Sequence, residues 1–169
     1  MTIDDLNTML DYHYWAIKRV LDAVELLRPE EFTRDMHNSF GSIRDTLAHI
    51  AAADHIWLHR WRGESMTALL PGDRIPDVAA ARAEWADLER ETRAFMQDVG
   101  AEGVNRVWDY KLMNGQPFSS TFWQMLQHVV NHATYHLGQV TTMMRQIGAQ
   151  PAKSIDMITF YRELGPPNS

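Results

Sequence analysis

The stretch that decides the fold runs from Thr121 to Ile147 and reads TFWQMLQHVVNHATYHLGQVTTMMRQI. Phe122, Leu126, Val129, Ala133, Leu137, Val140, Met144 and Ile147 recur at steps of three and four, the period of a helix with one apolar face. Thr121-x-x-Gln124 is a capping-box pattern at its start, and Gly148 and Pro151 close it. A helix this long with a single apolar stripe needs other helices to bury it.

Working outward, three more segments supply them. Upstream, Leu6, Leu10, His13, Ile17, Val20, Leu21 and Val24 share a stripe that Thr2 caps and Pro29 stops. A second stripe holds Ile43, Leu47, Ile50, Trp57, Leu58 and Trp61, opening at Gly41-Ser42 with Asp45 three residues on and ending at Gly63. The third begins at Pro76-Asp77, carries Val78, Trp85, Leu88, Thr92, Phe95 and Val99, and stops at Gly100. Between it and the last long helix, Trp108, Tyr110 and Leu112 alternate up to Asn114-Gly115, which predicts a small β-hairpin over Arg106 to Phe118 with a two-residue type I′ turn. A short helix from about Ile155 to Leu164 precedes a frayed tail, residues 165–169. The six Trp and ten Met fall mostly at helical spacing and read as core. The prediction is an all-α four-helix bundle with a hairpin before its last helix and a short C-terminal helix, one domain over 1–169. The connection from Gly63 to Pro76, with Pro71-Gly72 inside it, spans about 45 Å when extended, more than the roughly 30 Å of a 20-residue helix. The second and third helices are therefore free to run parallel through a crossover.

Composition narrows the function. With no Cys among 169 residues, a disulfide scaffold, thiolate metal sites and a cysteine nucleophile are excluded, and any thiol chemistry needs a thiol brought by a substrate. Sixteen Lys+Arg against 22 Asp+Glu give a net charge of -6, with no basic cluster, so nucleic acid is not an expected partner. No apolar run approaches a membrane span, and the first residues lack signal-peptide character, so the reading is a soluble cytoplasmic protein.

Eight histidines carry the chemistry: His13, His37, His49, His55, His59, His128, His132 and His136. The pairs 55/59, 128/132 and 132/136 have the i,i+4 spacing that brings two imidazoles to one ion. On a helical wheel His136 lies roughly 60° from the centre of the last stripe, His132 roughly 100° and His128 roughly 140°. The 132/136 pair thus sits at the bundle-facing edge while His128 points outward. His55 and His59 fall on what reads as a solvated face. A third ligand must come from another helix, and the wheel does not choose it: His49 lies roughly 140° from its own stripe. His13 is central in the first stripe, either a core histidine or part of a site lining. Asp54 lies on the second stripe and needs a partner there, either a metal-bound imidazole N–H or an arginine or helix end. No histidine has Glu three residues before it and His132 is followed by Ala133, which excludes a ferritin-like di-iron centre and a zincin.

The run Asn131-His132-Ala133-Thr134-Tyr135-His136-Leu137-Gly138-Gln139-Val140 resembles the last-helix signature of the DinB/YfiT-like family. Leu47-Ala48-His49-Ile50 with Asp54 and Trp57-Leu58, Tyr12-His13-Tyr14-Trp15-Ala16, and Ile155-Asp156-Met157-Ile158 with Phe160-Tyr161 are similar to its other segments. The resemblance implies an up-down-down-up bundle, usually dimeric, and a divalent metal, zinc or nickel, on His49, His132 and His136. Around those ligands, Asp54, His13, Asn131 and Trp57 would line the site, with Asp54 and His13 the candidates for catalysis. Leu137 departs from the family, where Arg is common, which implies a different substrate preference. Family chemistry includes bacterial thiol-dependent transferases and isomerases using bacillithiol or mycothiol, and some hydrolases. Three neutral imidazoles leave an open position for a water, whose pKa would drop to about 7, or for the thiolate of a low-molecular-weight thiol. The expectation is a metal-dependent enzyme acting on a small molecule as a homodimer. The small-residue surface of the second helix and exposed Trp108 and Tyr110 would offer apolar area for that dimer. The rival reading is a non-catalytic metal-binding or stress-response protein with a closed site, His13 being the obvious fourth ligand.

Overall fold

The computed structural model describes residues 1–64 and 74–165. Helix α1 (Ile3–Val24) starts at Thr2, whose hydroxyl accepts from the Asp5 N–H while the Thr2 N–H donates to the Asp5 carboxylate. Pro29, read as a stop, also opens a one-turn helix α2 (Pro29–Phe32), since a proline at the first helical position forfeits no bond. Ser42 caps α3 (Ile43–Trp61) and Asp77 caps α4 (Val78–Gly103), each accepting from the N–H three residues on. Gly100, where the sequence ends the third helix, breaks α4 at φ +55° before one further turn. Helix α5 (Phe122–Gln146) has half of its expected capping box: Gln124 accepts from the Thr121 N–H, but the buried Thr121 hydroxyl has no partner. Helix α6 (Met157–Leu164) closes the order.

Side-chain pairings fix the topology. His55 meets Glu84 and Arg62 meets Glu91, both 29 residues apart, so α3 and α4 run parallel. Arg82 reaches Asp22 and Arg93 reaches Asp11, so α1 and α4 are antiparallel. His49 pairs with His132 and Trp61 packs on Phe122, so α3 and α5 are antiparallel too. The order is up-down-down-up, and the crossover that the sequence permits is used. Its connecting stretch with Pro71 and Gly72 lies outside the described residues, as does the tail from Pro166. Around the ring α1 and α3 each pack on α4 and α5, enclosing one apolar core with Leu6, Leu47, Leu88 and Leu126 at its centre.

Strands β1 (Val107–Lys111) and β2 (Pro117–Thr121) pair antiparallel, with Tyr110 opposite Phe118. Their turn is not the two-residue type I′ expected. That turn needs a positive φ at both Asn114 and Gly115, and only Gly115 has one, at +83°. Gly115 N–H donates to Leu112 C=O and Leu112 N–H to Gln116 C=O, leaving a three-residue loop with glycine in the left-handed position. Trp108 and Tyr110 are not exposed either. They alternate onto the bundle, Trp108 against Phe95 and Phe122, Tyr110 against Trp57, so this apolar area is used within the chain.

Candidate metal centre

His49 comes from the second turn of α3, and His132 and His136 from successive turns in the middle of α5. Antiparallel packing brings them together: one ligand atom from each lies within 4.8 Å of the other two, and His49 Nε2 is 3.0 Å from His132 Nε2. Among the described residues this is the cluster of three or more His, Cys, Asp or Glu side chains able to hold an ion. His136 is buried, His132 and His49 are half-buried, and His128 is exposed, the order that the wheel predicts along α5.

The tautomers suit a cation. The amide oxygen of Gln139 can only accept, so at 2.8 Å it takes the Nδ1–H of His136 and leaves the Nε2 lone pair free for the cluster. His132 Nδ1 is buried without a partner, as is Asp54 Oδ1. Burial, helped by the neighbouring His136 and His49, pushes the His132 imidazole down to about 4, while Asp54 pulls the other way. His49 is lowered for the same first reason. Both imidazoles are thereby held neutral, the state a ligand needs. Phe40, in the loop before Ser42, stacks on His49 at 3.9 Å and meets His136 edge-on at 5.3 Å, roofing the cluster.

A profile of the DinB family matches residues 2–162. The chain belongs to the DinB family. Protein DinB of Bacillus subtilis is 26% identical over 147 residues, 83% of this chain and 84% of that protein. The crystal structure of a DinB-like protein from Bacillus cereus superposes with a TM-score of 0.70 at 18% identity, covering 90% of this chain and 97% of that one, a likeness of fold.

In this DinB-family chain the remaining site residues are dispersed. Asp54 and His13, 6% and 2% exposed, meet each other across the bundle diagonal at 2.9 Å (Oδ2 to Nε2). Asp54 therefore takes an imidazole outside the three-histidine cluster as its partner, and neither a ligand imidazole, an arginine nor a helix end. Trp57 reaches the cluster through His128, on which it packs at 5.2 Å, and His128 lies 5.9 Å from His132. Asn131 is exposed and lines a groove with Met9, Tyr12 and Thr134 on the α6 side of α5. His37 sits on the surface loop. His55 differs from its reading as part of a solvated face: its side chain is 15% exposed and hydrogen-bonded with Glu84 between α3 and α4. The sequence reading gave no role to Phe40 or Gln139. Gln139 has a signal, its i,i+3 spacing from His136 on one helix face. Phe40 has none, because a loop residue's direction follows from tertiary contacts.

Proposed function

We propose that this DinB-family protein is a divalent-metal-dependent enzyme, a thiol-dependent transferase or a hydrolase acting on a small molecule, with His49, His132 and His136 as metal ligands. The observation that carries the reading is the donor set: three converging imidazoles with no fourth His, Cys, Asp or Glu among the described residues. Zinc or nickel, the ions we assign, suit neutral nitrogen donors. A bound ion would supply Lewis acidity and lower the pKa of a water or of a low-molecular-weight thiol cosubstrate.

The chain's own residues set up that site. Gln139 orients His136, and Phe40 covers His49 and His136, keeping bulk water from that side. Asp54 and His13 are tied to each other inside the bundle, which favours a positioning role over proton transfer to a substrate. Asp54 Oδ1 and His132 Nδ1 are both buried and make no hydrogen bond in this structure. The closed-site reading, a metal-binding or stress-response protein, draws no support from His13, which lies outside the cluster of converging ligand atoms and pairs with Asp54 instead. We further propose a single domain working as a homodimer in the bacterial cytoplasm. Among the described residues no helix is long and apolar enough to cross a membrane.

The deciding experiment is turnover by the zinc- or nickel-loaded protein of bacillithiol or mycothiol acceptors and of a panel of esters and amides. Metal-dependent turnover of one class is expected. Stoichiometric metal with neither activity would favour the non-catalytic reading.

A further inference from the structure

On α3, His49, Ala53, Trp57 and Arg60 follow at steps of four, four and three, one face of the helix. His49 belongs to the three-histidine cluster. At the other end, the Arg60 guanidinium lies 4.8 Å from the Trp57 ring centre and 5.7 Å from that of Tyr110. Trp57 carries His128 beside it, and His128 leads back to His132. Between the two ends Ala53 and the buried Ile56 share this face of α3.

Among the described residues Arg60 has no counter-ion. The half-buried Arg19, Arg44, Arg82 and Arg93 each hold a carboxylate. Arg60 is equally half-buried, yet no described carboxylate lies within ion-pair distance of it. Burial lowers its pKa, and the one group that opposes this is the Tyr110 hydroxyl. A guanidinium cannot shed its proton to escape that cost. It presents a planar fork of N–H donors, the shape that takes an oxyanion through two hydrogen bonds.

We infer that Arg60, set on Trp57 and Tyr110, binds the oxyanion end (a carboxylate or a phosphate) of a small-molecule substrate whose reacting end lies at His49, His132 and His136. The inference rests on the proposed metal site for the reacting end alone. Eleven helical steps separate the His49 and Arg60 backbones by about 16 Å, so a side chain folding back selects substrates about 10–15 Å long.

Two measurements test it. In the zinc-loaded protein, the affinities of alkyl hydroxamates of increasing spacer length, ending in carboxylate, phosphonate or methyl, are compared by calorimetry. The charged ends should bind about tenfold more tightly than methyl at one spacer length, whichever oxyanion fits better naming the source. Arg60→Gln should erase that preference and leave acetohydroxamate unchanged, Arg60→Lys should keep part of it, and Arg62→Gln all of it. In the metal-free protein, the Arg60 Nε–H resonance, assigned with Arg60→Gln, should shift saturably with glutarate or inorganic phosphate. Failure of acetohydroxamate to bind would count against the metal centre and leave this second measurement to decide. No saturable shift on Arg60, or a charged-end preference that survives Arg60→Gln in a protein with unchanged melting, overturns the inference.

Discussion

At the scale of single residues, spacing and orientation carry different information. The i,i+4 rule offers His128/His132 and His132/His136 equally, and the wheel separates them because 136 turns inward; the burial of the three rings follows that order. The wheel had no means of placing His49, since an outward position on α3 becomes an inward one once α5 lies across it. His49→Ala, His132→Ala or His136→Ala should each abolish stoichiometric zinc or nickel. His128→Ala, His55→Ala and His59→Ala should retain it, as elemental analysis of the six variants would show. A metal-free His128→Ala beside a metal-loaded His136→Ala would overturn the assignment. The Asp54–His13 pair makes a separate demand. Asp54→Ala strands a buried imidazole, and urea unfolding should register a loss on the order of 3 kcal/mol.

Among elements, those whose information is local were legible. Thr2, Ser42 and Asp77 mark helix starts because a short polar side chain satisfies an N–H three residues away. The hairpin's existence was equally local, but its turn was not: Asn-Gly serves a two-residue turn or the end of a three-residue one, and the strand register imposed by packing Trp108 and Tyr110 decides. A consequence follows for Gly115. At φ +83°, an added Cβ meets no neighbouring atom, so Gly115→Ala should cost about 1 kcal/mol through backbone conformation alone. Gly115→Asn should cost less, because asparagine tolerates the left-handed region, and thermal melts of the two variants test the order. The parallel α3–α4 pairing lay beyond sequence reading, since the long connection allowed it without requiring it. What selects it in the structure is the succession of His55–Glu84, Arg62–Glu91 and Trp61–Phe95 along one interface.

Across the whole molecule, the three histidines join α3 to α5 on one seam of the bundle, so the protonation of the site is coupled to folding. The His132 imidazole is held at about 4 in the folded chain, by burial first and then by His136 and His49, against an ordinary 6.5 when unfolded. Between those values the unfolded chain binds more protons than the folded one, so stability rises with pH across that window. The contribution is fully present above about pH 6.5, is lost as pH falls toward 4, and changes no further below it, because both states are then protonated. His49 is displaced in the same direction and adds to the slope. The melting temperature of metal-free protein should therefore drop on acidification from pH 7 to pH 4. Carboxylates contribute to any such drop, so the informative quantity is the difference from His132→Asn, which should melt with a shallower pH dependence over this window. Zinc should raise the melting temperature of the parent protein near neutral pH by mass action, losing effect in acid as protons compete for the same nitrogens. Equal pH slopes for parent and variant would mean that His132 is not depressed by its surroundings, and the neutral, ligand-ready state argued for it would fall.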